Sequence, residues 1–151
     1  MASMKYTIIK DISKLRTTCE DVKTLEEGES IAKQLFEALS NSKYGVGLAA
    51  NQIGINKKVC VVNVERPLYF INPKIVSSYG QIQFDNEGCL SFPKDIIKTE
   101  RKNIISVAAD NFNGISFFSC EGGKNDKLEC VCIQHEIDHL YGITMYEREI
   151  K

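Results

Sequence analysis

Both histidines of this 151-residue chain fall inside five consecutive residues, His135-Glu136-Ile137-Asp138-His139. On a helix, residues four apart rise about 6 Å and return to nearly the same azimuth. Two imidazoles on that spacing can therefore converge on one ion at bonds of about 2 Å. Glu136 lies about 100° further round, off the ligand pair, where a carboxylate can take a proton from a water that the ion activates. The competing reading is a helix whose histidines are ordinary buried or surface polar residues. It is the weaker one, because Leu128, Cys132, His135 and His139 form one continuous stripe, and unpartnered imidazoles there would be costly to bury. Asp138 could support the ligands from behind, but a structural or solvated carboxylate is the stronger reading. The chemistry this pattern offers is metal-assisted hydrolysis.

A catalytic ion of this kind needs a third protein ligand and an open position for water. No histidine remains, so the ligand is a carboxylate or a cysteine. Glu87-Gly88-Cys89-Leu90-Ser91 stands out, with a cysteine beside a glycine where backbone can approach closely. Taken alone, Cys89 reads as a buried apolar cysteine, and spacing does not choose it over Cys120, Cys130 or Cys132. A third unusual segment is Gly45-Val46-Gly47-Leu48-Ala49-Ala50-Asn51-Gln52, where small residues let a backbone lie close to something and Gln52 offers a neutral amide. It has no Walker lysine and no second half of a dinucleotide fingerprint, which argues against phosphate cradling. By itself it reads as a loop packed between a helix and a strand.

These segments need elements to position them. Thr24 followed by Glu27 has the form of a capping box, and Ile31, Ala32, Leu35, Ala38 and Leu39 keep helical spacing, so 24–40 is expected to be a helix. A loop follows over 45–54. Lys58–Val64 reads as a strand by its β-branched content, and 69–79 as another, broken at Pro73. Ile104–Asp110 and Ile115–Cys120 read as paired strands joined by a turn at 111–114. The motif-bearing helix is expected from about Lys127 to Tyr141, with Asp126 as N-cap, Glu129 at the capping-box position and Gly142 just past the end. The resulting class is α+β: a mainly antiparallel sheet wrapped around one buried central helix.

Composition narrows the setting. The length suits one domain over 1–151, with a core large enough to need no staples. With 43% hydrophobic and 26% charged residues and a formal net charge of −1, the chain resembles an ordinary soluble protein. No basic run suggests nucleic acid or a membrane surface, and no stretch is long and apolar enough to span a bilayer or form a signal-peptide core. Met1-Ala-Ser-Met4 reads as an artificial addition ahead of a native start at Met4. The six cysteines fall into no Cys-x-x-Cys pairing, which fits a reducing compartment and mostly small buried thiols.

Taken together and in this order, the three segments resemble peptide deformylase. That family carries Gly-x-Gly-Leu-Ala-Ala-x-Gln, then Glu-Gly-Cys-Leu-Ser, then His-Glu-x-Asp-His, which stand here complete at 45–52, 87–91 and 135–139. The resemblance implies Cys89, His135 and His139 as the metal ligands, a choice that spacing left open. It implies removal of the formyl group from N-formylmethionyl peptides, with Glu136 moving the proton. The Gln52 side-chain amide, the Leu90 backbone N–H and the metal would stabilise the oxyanion. A thiolate ligand admits iron, and the resemblance implies Fe²⁺ as the native ion, with Zn²⁺, Ni²⁺ or Co²⁺ able to substitute. Such a ferrous thiolate site is expected to be fragile in oxygen.

The same resemblance places Val46, Leu90, Leu128, Val131 and Cys132 around a pocket for the methionine side chain, with Gly45 and Gly47 beside it. Gly88 and Val46 would offer backbone hydrogen bonds to an extended peptide. Arg101 would pair with Glu87 and fix the metal loop. Two departures stand out. Ile96 occupies the slot where many bacterial members place a peptide-contacting arginine, which weakens the expected peptide grip. The chain also stops at Lys151, twelve residues after His139. Many bacterial members add a further helix there that is linked to ribosome docking. Shorter versions resemble those of some bacteriophages or organelles. The implied partner is the nascent formylated peptide, met near the ribosome by a monomer in a bacterial cytoplasm, that of a phage's host, or an organelle.

Three other classes compete. A metalloprotease or other amidase could use the same helix; a narrow pocket at Val46 and Val131 with Gln52 near the metal favours the deformylase. A non-catalytic binding module has no use for Glu136. A purely structural metal site would usually be closed by a fourth protein ligand.

Overall fold

In the computed structural model, residues 6–43 and 45–151 are described; the addition expected at Met1–Met4 lies outside them. After a short helix α1 (Ile12–Leu15), helix α2 runs over Leu25–Ser40. Thr24 caps α2 as its sequence signature requires, its Oγ1 accepting from the Glu27 N–H at 3.1 Å. Strands β1 (Gly47–Ala49), β2 (Val59–Asn63) and β3 (Pro67–Ile71) form one antiparallel sheet in the order β1-β2-β3. Strands β4 (Lys74–Cys89), β5 (Phe92–Ala108) and β6 (Ser116–Ser119) form a second, in the order β4-β5-β6. Helix α3 (Lys124–Leu140) packs against both, and a short 3₁₀ turn, Met145–Arg148, follows it.

The apolar run of β2 shows why the helices lie where they do. Val59 and Val61 join Ile31, Leu35 and Leu39 of α2 in one buried cluster. Cys60 and Val62 point the other way, into the cluster of Ile133, Ile137 and Leu140 from α3. A strand covered on both faces has no polar alternation to display, and each fully buried Val or Leu contributes about 1.5–3 kcal/mol. No helix among the described residues is long and apolar enough to cross a membrane.

Several expected boundaries move. The loop expected over 45–54 contains β1 and a 3₁₀ turn, Ala50–Ile53. Its small residues permit close packing beneath α3: a Cβ on Gly47 would sit 2.5 Å from Cys132 Sγ and 2.7 Å from Glu136 Oε2. The strand expected over 69–79 is two strands in different sheets, separated at Asn72-Pro73. Helix α3 begins at Lys124, so Asp126 sits in its first turn and Gly123, with no side-chain cap, precedes it. Glu129 does not close a capping box; its carboxylate accepts from Arg66 Nη2 at 3.2 Å. At the other end Gly142 takes φ 76°, as expected, and a Cβ there would meet the Arg16 carbonyl oxygen at 2.7 Å.

Candidate metal centre and active site

The helix and the second sheet bring the three expected ligands to one point. Cys89 ends β4, ahead of the Leu90-Ser91 turn into β5. His135 and His139 lie one turn apart on α3, both buried. Their Nε2 atoms are 3.2 Å apart, and Cys89 Sγ lies 3.4 Å from His139 Nε2. All three ligand atoms fall within 4.8 Å of one another. A tetrahedral ion with bonds of about 2.0–2.3 Å needs ligand atoms separated by roughly 3.3–3.6 Å. The residues therefore fit a single divalent cation, and the N₂S donor set suits a soft or borderline one.

The tautomer of His135 supports the fit. Its Nδ1 is 2.7 Å from Glu87 Oε2, so the proton sits there and the Nε2 lone pair faces the other two ligands. Glu87 is held in turn by Thr99 Oγ1 at 2.6 Å, by Arg101 Nε at 2.9 Å, and by Arg101 Nη2. Arg101 Nη1 donates to Asp138 Oδ2 at 2.7 Å, and Arg148 donates to both Asp138 oxygens at 3.1 Å. Burial alone would raise the Glu87 carboxyl, but the hydrogen bonds and charges of His135 and Arg101 override it and hold it far below the usual range. Asp138 is thus buried and structural rather than solvated.

On the opposite side of the His135 ring one carboxyl oxygen is left unpaired. Glu136 Oε1 is buried with no hydrogen-bond partner, while its Oε2 is 4.0 Å from His135 Nε2. Burial pushes the Glu136 carboxyl up to about 7, against the opposing pull of His135. A carboxyl there can both accept and return a proton near neutral pH. Burial disfavours charge on both imidazoles; Glu136 and Cys89 nevertheless hold His135 above its ordinary value, whereas the neighbouring His135 drives His139 further below.

Gln52 completes this side. Its Oε1 accepts from the Ala49 N–H at 2.9 Å, which fixes the amide orientation. Its Nε2 donates to Ser91 Oγ at 3.0 Å and approaches Cys89 Sγ at 3.6 Å. Asn51 Nδ2 donates to the His139 carbonyl at 2.8 Å, tying the same small-residue segment to α3.

A cavity of about 450 Å³ opens over these groups. Gly45, Val46 and Gly47 line one wall, and Leu128, Val131 and Cys132 another. Gly88 and Leu90 lie on its margin beside Cys89, and Ile96, 70% exposed, stands on the rim opposite Gly88 in the β4–β5 pairing. Every residue expected at the site is thus gathered at or directly behind one cavity, with Arg101 and His139 behind its wall. Sequence reasoning missed Ser91, Thr99 and Asn51 as contributors. Ser91 belongs to a quoted motif, but nothing about a lone hydroxyl or amide marks it as a partner before the fold is known.

An N₂S triad of two buried histidines and a half-buried cysteine at the end of a cavity, with a carboxyl poised near neutrality and an oriented amide donor, defines a metal-dependent hydrolase. The polypeptide deformylase family model matches residues 6–151. A peptide deformylase of Pseudoalteromonas translucida is 35% identical over 94% of this chain and 84% of its own length. One from Heliobacterium modesticaldum is 41% identical over 76% and 72%. Among solved structures, peptide deformylase from Thermotoga maritima superposes with a TM-score of 0.85 at 28% identity, covering 98% of this chain and 99% of that one. The Synechococcus elongatus enzyme in complex with actinonin gives 0.83 at 31% identity, covering 100% and 85%. The chain belongs to the polypeptide deformylase family.

Proposed function

We propose that this protein removes the formyl group from N-formylmethionyl peptides, releasing formate and a free amino terminus. The observation that carries the reading is Glu136: a buried carboxyl with an unpartnered oxygen, raised to about 7, beside the convergent Cys89, His135 and His139. Those three side chains would hold one divalent ion, which when bound supplies a Lewis acid and lowers the pKa of water. Glu136 takes the proton of the attacking water and delivers it to the departing amine. The Gln52 Nε2–H and the Leu90 N–H donate to the oxygen that becomes negative as the formyl carbon turns tetrahedral.

Substrate binding follows from the cavity. The Val46, Leu128, Val131 and Cys132 wall accepts an unbranched apolar side chain such as methionine. Strands β1 and β4 each end a sheet order, so an extended peptide can hydrogen-bond to Val46 and Gly88 as an added strand. The native ion in this reading is Fe²⁺, and residues 1–151 act as one domain and one monomer on nascent chains emerging from the ribosome in the cytoplasm. Bacterial relatives support that setting.

The test is formate release from formyl-Met-Ala-Ser by protein purified anaerobically with Fe²⁺ or Ni²⁺, beside Glu136→Ala. The wild type turns over, and the variant loses at least about 10²-fold in rate while retaining metal. A metal-loaded wild type that releases no formate would remove the substrate assignment; internal peptide cleavage instead would point to a general amidase.

A further inference from the structure

The six cysteines are all free, but they do not share one environment. Cys19, Cys60 and Cys132 are buried, and burial pushes their thiols up, that of Cys19 to about 11. Thiols of that kind are poor nucleophiles. Cys120 differs. It is half-buried just past the end of β6 and packs against the core cluster that contains Cys130, a buried residue of α3.

One backbone carbonyl and the Gln134 amide link the two side chains. The Cys120 thiol donates to the Lys102 oxygen at 3.6 Å. Gln134 Nε2 donates to that same oxygen at 3.0 Å and to Cys130 Sγ at 3.5 Å. Across this junction the two thiols interact. The interaction with Cys130 holds Cys120 below the ordinary thiol value despite its partial burial, with Lys127 helping and Glu121 opposing. The same interaction, together with burial, drives Cys130 the other way. One sulfur is therefore reachable and thiolate-prone, and its neighbour is buried and keeps its proton. Neither residue lines the substrate cavity.

We propose that Cys120 and Cys130 form a redox modification site, oxidised by a hydroperoxide to an intramolecular disulfide that joins β6 to α3. The Cys120 thiolate attacks the terminal oxygen of the hydroperoxide; the O–O bond breaks, an alcohol or water leaves with a proton, and Cys120 becomes a sulfenic acid. Cys130 gives up its proton and attacks the Cys120 sulfur; the S–O bond breaks and water leaves. Two thiols and one hydroperoxide thus yield one disulfide, one alcohol and one water, and a dithiol reductant reverses the change. The bond ties down α3 five residues before His135. This inference stands apart from the deformylase reading, because it concerns thiols outside the cavity.

The test uses the full chain loaded with Ni²⁺, treated with hydrogen peroxide, alkylated, digested without reduction and mapped by mass spectrometry. The expected product is a peptide pair joining Cys120 to Cys130, two hydrogens lighter than its parts and restored by dithiothreitol. Cys130→Ser is expected to lose the pair and to accumulate a dimedone-reactive Cys120. Cys120→Ser, at the more exposed position, is expected to lose the pair and leave Cys130 unmodified. The proposal is overturned if wild-type Cys120 stays reduced, if it runs to sulfinic acid without pairing, or if its disulfide joins two chains.

Discussion

The two sides of the His135 imidazole are built on opposite principles. On the Nδ1 side, Glu87, Arg101, Asp138 and Arg148 form a chain of charges in which both carboxylates are fully occupied by donors. On the Nε2 side, Glu136 Oε1 has no partner, two nitrogens face each other at 3.2 Å, and a cavity replaces packing. Both sides are buried, so the difference is not one of solvent. Buried polar groups without partners are expensive, and a fold tolerates them where a ligand will complete them. The satisfied side supplies the rigidity that lets the unsatisfied side persist.

Breaking the satisfied side should have the largest effect. Arg101→Met leaves Glu87 and Asp138 facing each other with their shared cation gone. Removing one partner of a buried pair costs about 3–5 kcal/mol, or a fall in Tm of roughly 6–20 °C for a chain this size. Metal affinity should fall about 10–100-fold, because His135 loses its fixed tautomer. Thermal melts and a metal titration check both; a variant melting within a degree or two of wild type would mean that the chain of charges supports nothing. The wild type carries a related signature. Glu87 has a depressed carboxyl, so its stabilisation is present at neutral pH and is lost as pH falls below about 4.5, its unperturbed value.

On the unsatisfied side, Gln52→Leu should damage catalysis more than folding. It deletes the donor aimed at the developing oxyanion and is expected to lower kcat about 10²–10³-fold. The Ala49 N–H loses its acceptor as well, at about 1–3 kcal/mol. Steady-state formate release beside thermal melting separates the two. A loss confined to stability would move Gln52 to the supporting side of the comparison.

Glu136 sharpens the contrast through pH. Its folded-state carboxyl lies at about 7 against 4.5 unperturbed, so the folded metal-free chain binds that proton more tightly than the unfolded one. Its contribution is neutral below about 4.5, turns destabilising as pH rises, and reaches its full adverse size above about 7. That size is about 3–4 kcal/mol, from a shift of 7 − 4.5 at about 1.4 kcal/mol per unit. Metal-free Glu136→Gln should therefore be the more stable protein at pH 8 and lose that advantage at pH 4.5. Denaturant titrations at the two pH values measure it. Equal pH dependence in both proteins would place the Glu136 carboxyl in an ordinary, solvated setting.

The unsatisfied side was far more legible in the sequence than the satisfied one. His135, Glu136 and His139 announce themselves by helical spacing, and the resemblance supplied Cys89, Gln52 and Leu90. Arg101 and Glu87 were paired only through that resemblance, and Thr99 and Arg148 not at all, since their contacts cross from one element to the next and no periodicity within either element marks them. The ribbon of β4 and β5 went unread over 80–89 and 92–103 for a related reason. Much of it is exposed on both faces, so no apolar alternation marks the strands. The start of α3 was misplaced because Gly123 offers no side chain to signal a cap. Helix α2, with Thr24 and its apolar stripe, was readable throughout because its signals are local.

The smallest effect is expected at the outer end of the charge chain. Arg148 donates to both Asp138 oxygens, yet its side chain is 42% exposed and Asp138 keeps Arg101 when Arg148 is removed. Arg148→Met therefore leaves no buried carboxylate unpaired, and the loss should stay below about 1 kcal/mol, the range of partly solvated ion pairs. Metal affinity and kcat should hardly change, because the bonds from Glu87 to His135 and Arg101 are intact. A double-mutant cycle with Arg101→Met makes the comparison quantitative. Near-additive effects would show that support for His135 ends at Arg101, with Arg148 a surface clasp. A coupling of 1 kcal/mol or more would extend the rigid side to the 3₁₀ turn at Met145–Arg148 and make the last residues of the chain part of the metal centre's frame.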